Sequence, residues 1–447
     1  MHFGTDGIRG KANTELTCEF ALKLGRALSE VFNQSPILIG RDNRLSSDML
    51  FHAVSAGLCS GGSTAIDLKV VPTPAVAYIA SVVSLPAIVI SASHNPYYDN
   101  GIKVIGPDGI KVNRKTENDI ENLIDLDIKD GLSTDLIAKA EDGADQVSNW
   151  ESMLVSNKKS EFKKLRVVLD CANGATSLFA PRILESLGVD ITAIFTEQNG
   201  YSINDGCGAT DTAALAKVVV DTKSDLGIAF DGDGDRIVLT DEKGNTIDGD
   251  RIIALYAEHL IKLGTLKNNG VVVTSMTNLG FTLAMDELGV NVKRCDVGDR
   301  NVIELMLEND YILGGEQSGH IIRKDITCTG DGILNAILLL NILNAREEKP
   351  SEIFSNTMTR FPQKLINLKL TQGQYQKVNE ITSDPELNGL IDSITESEAG
   401  AFRAVVRPSG TEKLLRIMVE AKSDALVESY LAKISDMASS AIDKISS

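Results

Sequence analysis

The chain has 447 residues, of which 43% are hydrophobic and 24% are charged, and this balance is that of an ordinary globular protein. Its 62 acidic and 44 basic residues give a formal net charge of −18, which excludes general attraction to nucleic acid or anionic membranes unless basic residues cluster. The six cysteines show no C-x-x-C spacing, the N-terminus has no secretory pattern, and the apolar stretch 333–343 is too short to cross a membrane, so we expect a cytoplasmic protein without a disulfide framework.

A pattern of strand, polar loop, helix and strand occurs three times along the chain. The copies begin at the apolar runs 37–39, 167–169 and 271–273, and in each copy a helical pattern, a glycine and a second apolar run follow. This alternation predicts layered α/β structure with buried sheets. A spacing of roughly 100–130 residues is too long for a solenoid repeat and predicts three related domains.

The chain after residue 360 has a different pattern. Residues 365–370 alternate between apolar and polar as in a strand, and the strand-like runs 402–406 and 414–419 flank a Pro-Ser-Gly turn. Residues 425–445 have the spacing of an amphipathic helix. We therefore predict an α/β fold with three related mixed α/β domains plus a C-terminal α+β domain. The predicted domain boundaries are 1–150, 151–250, 251–360 and 361–447.

The first candidate site, in chain order, follows the strand-like run 87–90. Ser93 lies on a loop at the end of this strand, where ligand sites of α/β folds form, and His94 is beside it. His94 either activates Ser93 or ties the loop. A helix N-cap role for Ser93 is disfavoured because Pro96 interrupts the following segment. Lys103, just beyond this loop, adds a cation.

An acidic loop follows the apolar run 226–230. Asp231, Asp233 and Asp235 alternate with glycines, so an extended backbone sends the three carboxylates to one side. Oxygen ligands that converge in this way suit Mg²⁺, Ca²⁺ or Mn²⁺. An EF-hand is disfavoured because Arg236 stands where its turn needs glycine, and a turn without a metal would leave the carboxylates repelling one another.

Two further loops have the composition of ligand-binding segments. Residues 314–320 follow a strand-like run and carry Glu316, Ser318 and His320, which suit the recognition of sugar hydroxyls, although a structural turn explains them equally well. The second loop combines cations, hydroxyls and a flexible backbone as a phosphate site does, with a plain β-turn as the alternative. Its residues are Arg407, Ser409, Gly410 and Thr411, with Arg416 four residues beyond Glu412.

Together with the N-terminal segment 3–10, these four loops resemble the motifs of the α-D-phosphohexomutase family over the whole chain. The resemblance implies four domains around a central cleft and an isomerase that uses a phosphoserine. It implies that Ser93 carries the phosphoryl group, and that Ser93, Asp231, Asp233 and Asp235 ligate Mg²⁺. The other implied roles are charge stabilisation by Arg9 and Lys103, acid/base work by Lys103 or His320, and substrate binding by Arg236, Glu316, Ser318, Arg407, Ser409, Gly410, Thr411 and Arg416.

Within the family, four segments are most similar to the branch that acts on glucosamine phosphates; they are 4–10, 91–103, 208–211 and 316–318. The implied reaction interconverts glucosamine 6-phosphate and glucosamine 1-phosphate through a 1,6-bisphosphate, with glucose or glucosamine 1,6-bisphosphate as activator. Activity on mannose or glucose phosphates and a Ser-dependent phosphohydrolase are the alternatives. We expect a phosphosugar as partner, no nucleic acid or membrane, and a homodimer as one assembly common in the family.

Two residues depart from the family pattern. Lys413 stands where proline usually follows Gly-Thr-Glu, and Asp296 is acidic where an acidic residue is unusual. Lys413 either makes the loop less rigid or adds a cation for phosphate binding. The sequence supports no prediction for Asp296.

Overall fold

The computed structural model describes the chain except residues 5, 127–132, 163–164, 410–411 and 447. By its internal contacts the chain divides into two compact units. The first comprises residues 1–276 and 289–357, and the second comprises residues 277–288 and 358–447. None of the helices in the described residues is both long enough and apolar enough to span a membrane.

The first sheet has the order β1-β5-β4-β2-β3-β6. Its strands are β1 (Ile8–Lys11), β2 (Ile37–Arg41), β3 (Ala65–Val70), β4 (Ala87–Ile90), β5 (Asp99–Ile105) and β6 (Ala140–Asp142). The helices of this part of the chain are α1 (Cys18–Val31), α2 (Leu45–Ser60), α3 (Thr73–Val83), α4 (Arg114–Asp125) and α5 (Val147–Ser156).

The second sheet has the order β11-β10-β9-β7-β8. Its strands are β7 (Arg166–Asp170), β8 (Asp190–Ile194), β9 (Leu226–Phe230), β10 (Ile237–Asp241) and β11 (Thr246–Ile247), and its helices are α6 (Ala180–Ser186) and α7 (Ala213–Thr222).

The third sheet has the order β13-β12-β14-β15. Its strands are β12 (Gly270–Thr274), β13 (Asn291–Cys295), β14 (Leu313–Gly315) and β15 (Ile321–Arg323). The helices in this stretch are α8 (Gly249–Lys262), α9 (Leu279–Glu287), α10 (Asp299–Asn309), α11 (Gly332–Asn344) and α12 (Pro350–Thr357). Of these helices, α9 belongs to the second unit.

The same four-stranded arrangement occurs in all three sheets. The strands run in the orders β5-β4-β2-β3, β10-β9-β7-β8 and β15-β14-β12-β13. In each case the first pair is antiparallel and the next two pairs are parallel. The prediction of three related α/β domains is therefore confirmed, and β2, β7 and β12 are the apolar runs that revealed the repeat. Strands β2, β4, β9 and β12 are buried at every residue, as parallel strands covered on both faces require.

The second unit has α+β structure, as predicted. It contains the antiparallel sheet β16-β18-β17. Its elements besides α9 are β16 (Gln363–Lys369), α13 (Gln372–Gln376), α14 (Val378–Thr382), α15 (Pro385–Ser397), β17 (Phe402–Pro408), β18 (Leu414–Ala421) and α16 (Asp424–Ser446). The sequence analysis did not predict α15.

Helix α9 is fixed to the rest of the second unit by polar contacts at its N-terminus. The Asn278 amide donates to the Phe361 carbonyl at 3.0 Å and to Glu420 Oε1 at 3.1 Å. Gly280 lies so close to Thr359 that an added Cβ would be 1.7 Å from the Thr359 carbonyl oxygen. Only glycine fits at this contact.

We predict opposite effects of two glycine-to-alanine changes in the second unit. Gly280→Ala should lower the free energy of unfolding by about 1–3 kcal/mol because the methyl group overlaps backbone. In α15, Gly389→Ala should raise the free energy of unfolding by about 0.5–1 kcal/mol. An added Cβ would have no described heavy atom within 4 Å apart from its own helix backbone, and alanine loses less entropy in a helix. Calorimetry of the full chain measures both changes. Destabilisation of equal size in both variants would contradict the packing argument.

Candidate active site

Three of the predicted loops occupy the same position in the three repeats. The Ser93 loop joins β4 to β5, the acidic loop joins β9 to β10, and the 316–320 loop joins β14 to β15. Each loop therefore follows the strand that pairs in parallel on one side and antiparallel on the other. Ligand sites of α/β sheets form at the carboxyl ends of parallel strands, and these loops lie there.

The Ser93 hydroxyl faces the acidic loop. Ser93 is 1% exposed, and its Oγ donates a hydrogen bond to Asp231 Oδ2 at 2.7 Å. Its Oγ is also 3.3 Å from His94 Nδ1. Burial, followed by the charges of Arg236 and Arg9, lowers the pKa of His94 to about 4, so this imidazole is neutral at pH 7.

The acidic loop fits a divalent cation. One carboxylate oxygen each from Asp231, Asp233 and Asp235 lies within 4.8 Å of the others, and all three residues are buried. Asp233 Oδ1 and Asp235 Oδ1 are buried without a hydrogen-bond partner. Buried carboxylate oxygens left free in this way suit Mg²⁺ or another hard cation. The loop joins two antiparallel strands, which is not an EF-hand arrangement.

The charges in this loop are strongly coupled. Burial, followed by the negative charges of Asp235 and Asp233, raises the pKa of Asp231 to about 8. Although burial acts in the opposite direction, the Lys103 charge and a hydrogen bond from His320 lower the pKa of Asp235. The three carboxylates are therefore not all ionised together at neutral pH unless further positive charge is present.

Lys103 is a buried cation held by carboxylates. Its Nζ is 2.9 Å from Asp233 Oδ2 and 3.7 Å from Asp235 Oδ2. The Asp6 carboxylate lies 3.3 Å away. Burial alone would lower the pKa of Lys103, but these three carboxylates outweigh it and raise the pKa. Lys103 thus stays charged and supplies a fixed positive charge beside the acidic loop.

Two arginines lie at the edges of the same cluster. Arg9 pairs with Asp6 and donates from Nη1 to Asn95 Oδ1 at 3.2 Å. Arg236 Nε is 3.8 Å from both Asp231 Oδ2 and Asp235 Oδ1. Within the described part of the chain, the Nε atoms of both arginines are buried without a hydrogen-bond partner and can donate to an anion.

His320 is 3% exposed and lies against the acidic loop. Its Nδ1 is 3.6 Å from Asp235 Oδ2, and its Nε2 accepts a hydrogen bond from the Gly330 N–H at 3.2 Å. Although burial lowers it, the neighbouring Asp235, Asp299 and Glu316 carboxylates raise the pKa of His320.

Glu316 and Ser318 lie on the same loop as His320. The Gly298 N–H donates to Glu316 Oε1 at 2.9 Å, and the exposed Ser318 hydroxyl donates to Glu316 Oε2 at 3.3 Å. The negative charge of Glu316 contributes to a raised pKa of Arg236, after the larger effects of Asp231 and Asp235. The loop therefore lies close to the acidic cluster.

The predicted phosphate-binding residues belong to the second unit. Arg407 and Arg416 are directly opposite each other on β17 and β18. Ser409 Oγ and Arg416 Nε are buried and have no hydrogen-bond partner among the described residues. Three unpaired or cationic donors of this kind fit an anion. Gly410 and Thr411 lie outside the described residues.

The two residues that depart from the family pattern are both exposed. Lys413 accepts a hydrogen bond at its carbonyl from the Leu370 N–H, at 2.9 Å. The Asp296 carbonyl accepts from Asn301 Nδ2 at 3.3 Å. Neither contact uses the charged group.

Four residues of the site were missed by the sequence analysis. Thr73 donates from Oγ1 to Asp233 Oδ2 at 2.6 Å, and Asp6 binds Lys103 and Arg9. Arg44 and Asn204 bind the backbone of the Ser93 loop. Asp6 lies within the N-terminal motif, which was a usable signal. Thr73, the first residue of α3, and Asn204, between β8 and β9, belong to no recognisable motif and gave none.

The buried Trp150 is linked to the acidic loop through Asp331 and the first residue of α11. Trp150 Nε1 donates to Asp331 Oδ2 at 2.8 Å, and Asp331 caps α11 by accepting from the Leu334 N–H. Next in the chain, the Gly332 N–H donates to the Gly234 carbonyl of the acidic loop at 2.9 Å. Burial raises the pKa of Asp331 to about 6.

A repeated α/β fold with a serine hydroxyl held against buried carboxylates and fixed cations defines an enzyme of phosphoryl transfer. The chain belongs to the phosphoglucomutase/phosphomannomutase family. Models of alpha/beta/alpha domains I, II and III of this family match residues 1–129, 144–244 and 248–361, and its C-terminal domain matches residues 365–437. The predicted family is confirmed. Its members act on phosphosugars and are generally metal-dependent.

Relatives and solved structures resemble the chain along nearly its whole length. Phosphoglucosamine mutase of Halalkalibacterium halodurans is 43% identical over 98% of both chains, and that of Listeria monocytogenes is 42% identical over 97% of both. A phosphoglucomutase/phosphomannomutase family protein from Burkholderia thailandensis has the same fold, with a TM-score of 0.83, 24% identity and coverage of 99% of this chain and 97% of that one. Aspergillus fumigatus N-acetylphosphoglucosamine mutase, solved with GlcNAc-6P and magnesium, has a TM-score of 0.72, 18% identity and coverage of 99% and 96%.

We predict that Asp331 makes stability depend on pH. A folded-state pKa of about 6, against an ordinary value of 3.8, means that the folded protein holds this proton more tightly. The contribution is therefore present below the ordinary pKa and is lost as the pH rises through about 6. The shift corresponds to roughly 3 kcal/mol. Urea unfolding at about pH 5 and about pH 8 should show about half of this loss, roughly 1.4 kcal/mol, in the wild type and not in Asp331→Asn, because the other half is already lost between pH 3.8 and about pH 5. Parallel pH profiles would show that Asp331 does not titrate in this range.

Proposed function

We propose that the protein interconverts glucosamine 6-phosphate and glucosamine 1-phosphate through phosphorylated Ser93 and a 1,6-bisphosphate intermediate. The observation that carries the proposal is the 2.7 Å hydrogen bond from the Ser93 hydroxyl to Asp231 within the carboxylate cluster. Relatives at 41–43% identity over 97–98% of both chains are phosphoglucosamine mutases, which supports the amino sugar as substrate.

The metal ion that we assign to the site is Mg²⁺. Asp231, Asp233 and Asp235 would hold it together with a phosphate oxygen on Ser93, and their buried, partly unpaired oxygens support this ligand set. When bound, Mg²⁺ supplies positive charge that offsets the negative charge of the transferred phosphoryl group.

Positively charged side chains near the acidic loop would also offset the negative charge of the transferred phosphoryl group. Lys103 is fixed beside the cluster, and the unpaired Nε donors of Arg9 and Arg236 can bind phosphoryl oxygens. Donors fixed in a water-poor site stabilise developing charge without reorganising at the moment of reaction. We assign charge stabilisation to these three residues, acceptance of the sugar hydroxyl proton to His320, and proton donation to His320 or Lys103, because the charged Lys103 has no lone pair to accept a proton.

The reaction consists of two transfers in opposite directions. In the first, the sugar O1 hydroxyl oxygen bonds to phosphorus, the bond from phosphorus to Ser93 Oγ breaks, and the O1 proton leaves to a base. The bisphosphate then turns around. In the second transfer, Ser93 Oγ takes the phosphoryl group from O6, and O6 regains a proton. The enzyme ends in its phosphorylated form, so no net phosphate is consumed.

Sugar hydroxyls are assigned to Glu316 and Ser318, whose oxygens lie on the loop after β14. The phosphate that is not being transferred is assigned to an anion site in the second unit, formed by Arg407, Ser409, Gly410, Thr411 and Arg416. We also propose that the protein is cytoplasmic and forms a homodimer. The proposed activator is glucose or glucosamine 1,6-bisphosphate.

We predict that Ser93→Ala abolishes turnover. Without the Oγ nucleophile, the variant should lose activity by on the order of 10³-fold or more. A coupled assay with Mg²⁺ and a trace of bisphosphate compares glucosamine, glucose and mannose 1-phosphates in the wild type and variant. The wild type should prefer the amino sugar.

Ser148→Ala is the matched control, because Ser148 is exposed and its hydroxyl only donates to the Asp145 carbonyl. This variant should keep wild-type activity. Full activity in Ser93→Ala would overturn the mechanism, and preference for a neutral sugar would overturn the substrate. Stoichiometric release of inorganic phosphate would identify a hydrolase.

We also predict that Asp233→Asn weakens Mg²⁺ binding. The amide keeps the shape of the side chain but removes one charged ligand from the cluster. Calorimetric titration with Mg²⁺ should show a Kd raised at least about tenfold. The exposed Asp221→Asn is the control and should bind as the wild type does. Unchanged affinity in Asp233→Asn would place the metal elsewhere.

A further inference from the structure

A fully buried arginine binds the backbone of the reactive loop. Arg44 is 1% exposed, and its Nη2 donates to the carbonyls of Ser93 at 3.0 Å and Asn95 at 2.7 Å. Its Nη1 donates to the carbonyls of Pro96 and Asp99. One guanidinium group thus holds four carbonyls between residues 93 and 99.

A second donor reaches the same loop from a distant part of the chain. Asn204 lies between β8 and β9, and its Nδ2 donates to the Ser93 carbonyl at 2.9 Å and to the Asn95 carbonyl at 3.1 Å. These are two of the four carbonyls that Arg44 binds. Gly232 of the acidic loop leaves room for this contact, because a Cβ there would be 2.7 Å from the Ser93 oxygen and 2.8 Å from Asn204 Nδ2.

The loop needs such restraint because Ser93 has an unfavourable backbone conformation. Its φ is 52°, in the left-handed region, which a residue with a side chain adopts at a cost of roughly 1–3 kcal/mol. Such a conformation persists only where the surroundings enforce it. In this conformation the Ser93 hydroxyl meets Asp231 at 2.7 Å.

We propose that Arg44 and Asn204 are positioning residues that hold Ser93 in the left-handed conformation required for phosphoryl transfer. The inference rests on the proposed function, in which Ser93 gives and receives a phosphoryl group in every cycle. Both transfers need the same serine geometry, although the sugar presents a different oxygen each time. Restraint by the protein, independent of the sugar, meets that need.

The restraint also protects the phosphoserine from water. In hydrolysis, a water oxygen bonds to phosphorus, the bond to Ser93 Oγ breaks, Oγ regains a proton and inorganic phosphate leaves. A loop that moves away from the cations and the acidic loop exposes the phosphoryl group to this reaction, while transfer to the sugar loses its alignment. Loss of either positioning residue therefore slows transfer and raises the share of hydrolysis.

The test uses Asn204→Asp in the full-length protein. Aspartate keeps the side-chain shape and tolerates the φ of 59° at this position, but it replaces the donor to the two carbonyls with an acceptor. We expect kcat to fall by on the order of 10–100-fold, because a misplacement of about 1 Å costs that much. KM for the sugar phosphate should stay close to that of the wild type, whereas the melting temperature should fall by a few degrees because the carboxylate repels the two carbonyl oxygens.

Phosphate release gives a second readout that a purely structural role would not change. With the enzyme phosphorylated at Ser93, the rate of inorganic phosphate release without sugar should rise in Asn204→Asp. Arg44→Lys, which keeps the charge next to Asp42 but cannot reach all four carbonyls, should change kcat and phosphate release in the same direction. The control is Asn199→Asp, on the same connection, whose exposed side chain binds only residues 197–202.

Unchanged kcat and phosphate release in Asn204→Asp would overturn the inference, and so would equal effects in Asn199→Asp. A parallel fall in kcat and melting temperature without faster phosphate release would also overturn it, since that result indicates general loosening. Absence of mutase turnover in the wild type would instead overturn the proposed function. The phosphate-release comparison needs no sugar and would still decide whether the two residues position Ser93.

Discussion

Repulsion among three buried carboxylates governs the structure around the candidate active site. Asp231, Asp233 and Asp235 bring oxygens within 4.8 Å of one another, away from water. Lys103 compensates part of this charge, and Thr73 donates to Asp233 from another part of the chain. The carboxylates keep uncompensated negative charge next to the Ser93 hydroxyl, and additional positive charge would stabilise them. A bound divalent cation would supply this charge and would also bring positive charge to the phosphoryl group that we propose on Ser93.

The threefold repeat explains how residues so far apart in sequence meet there. Each repeat places one loop after the strand that is parallel to one neighbour and antiparallel to the other. The Ser93, acidic and 316–320 loops are therefore structural equivalents with different chemistry. One carries the proposed nucleophile, one carries the carboxylates, and one carries the groups assigned to the sugar. A single folding pattern, used three times, leaves the loops free to differ because the buried strands carry the stability.

The sequence predicted what depends on local pattern and could not predict what depends on tertiary contact. Apolar runs and glycine positions predicted the strands and the repeat, and the alternation of aspartate with glycine predicted the convergence of three carboxylates. Asn204 and Thr73 had no such pattern, because their roles arise only when distant segments meet. The environment of His320, with one nitrogen accepting from Gly330 and the other near Asp235, likewise follows from packing and not from its neighbours in sequence.

Each unit contains buried polar atoms that have no hydrogen-bond partner among the described residues. In the first unit, the free carboxylate oxygens of Asp233 and Asp235 can bind a cation. The free Nε donors of Arg9 and Arg236 can bind an anion. In the second unit, the free atoms are the donors Ser409 Oγ and Arg416 Nε. Leaving such atoms unpaired costs about 1–3 kcal/mol each, so a ligand that pairs them recovers that free energy on binding. In each unit the free donors therefore match an anionic group such as a phosphate, and the free carboxylate oxygens of the first unit match a cation.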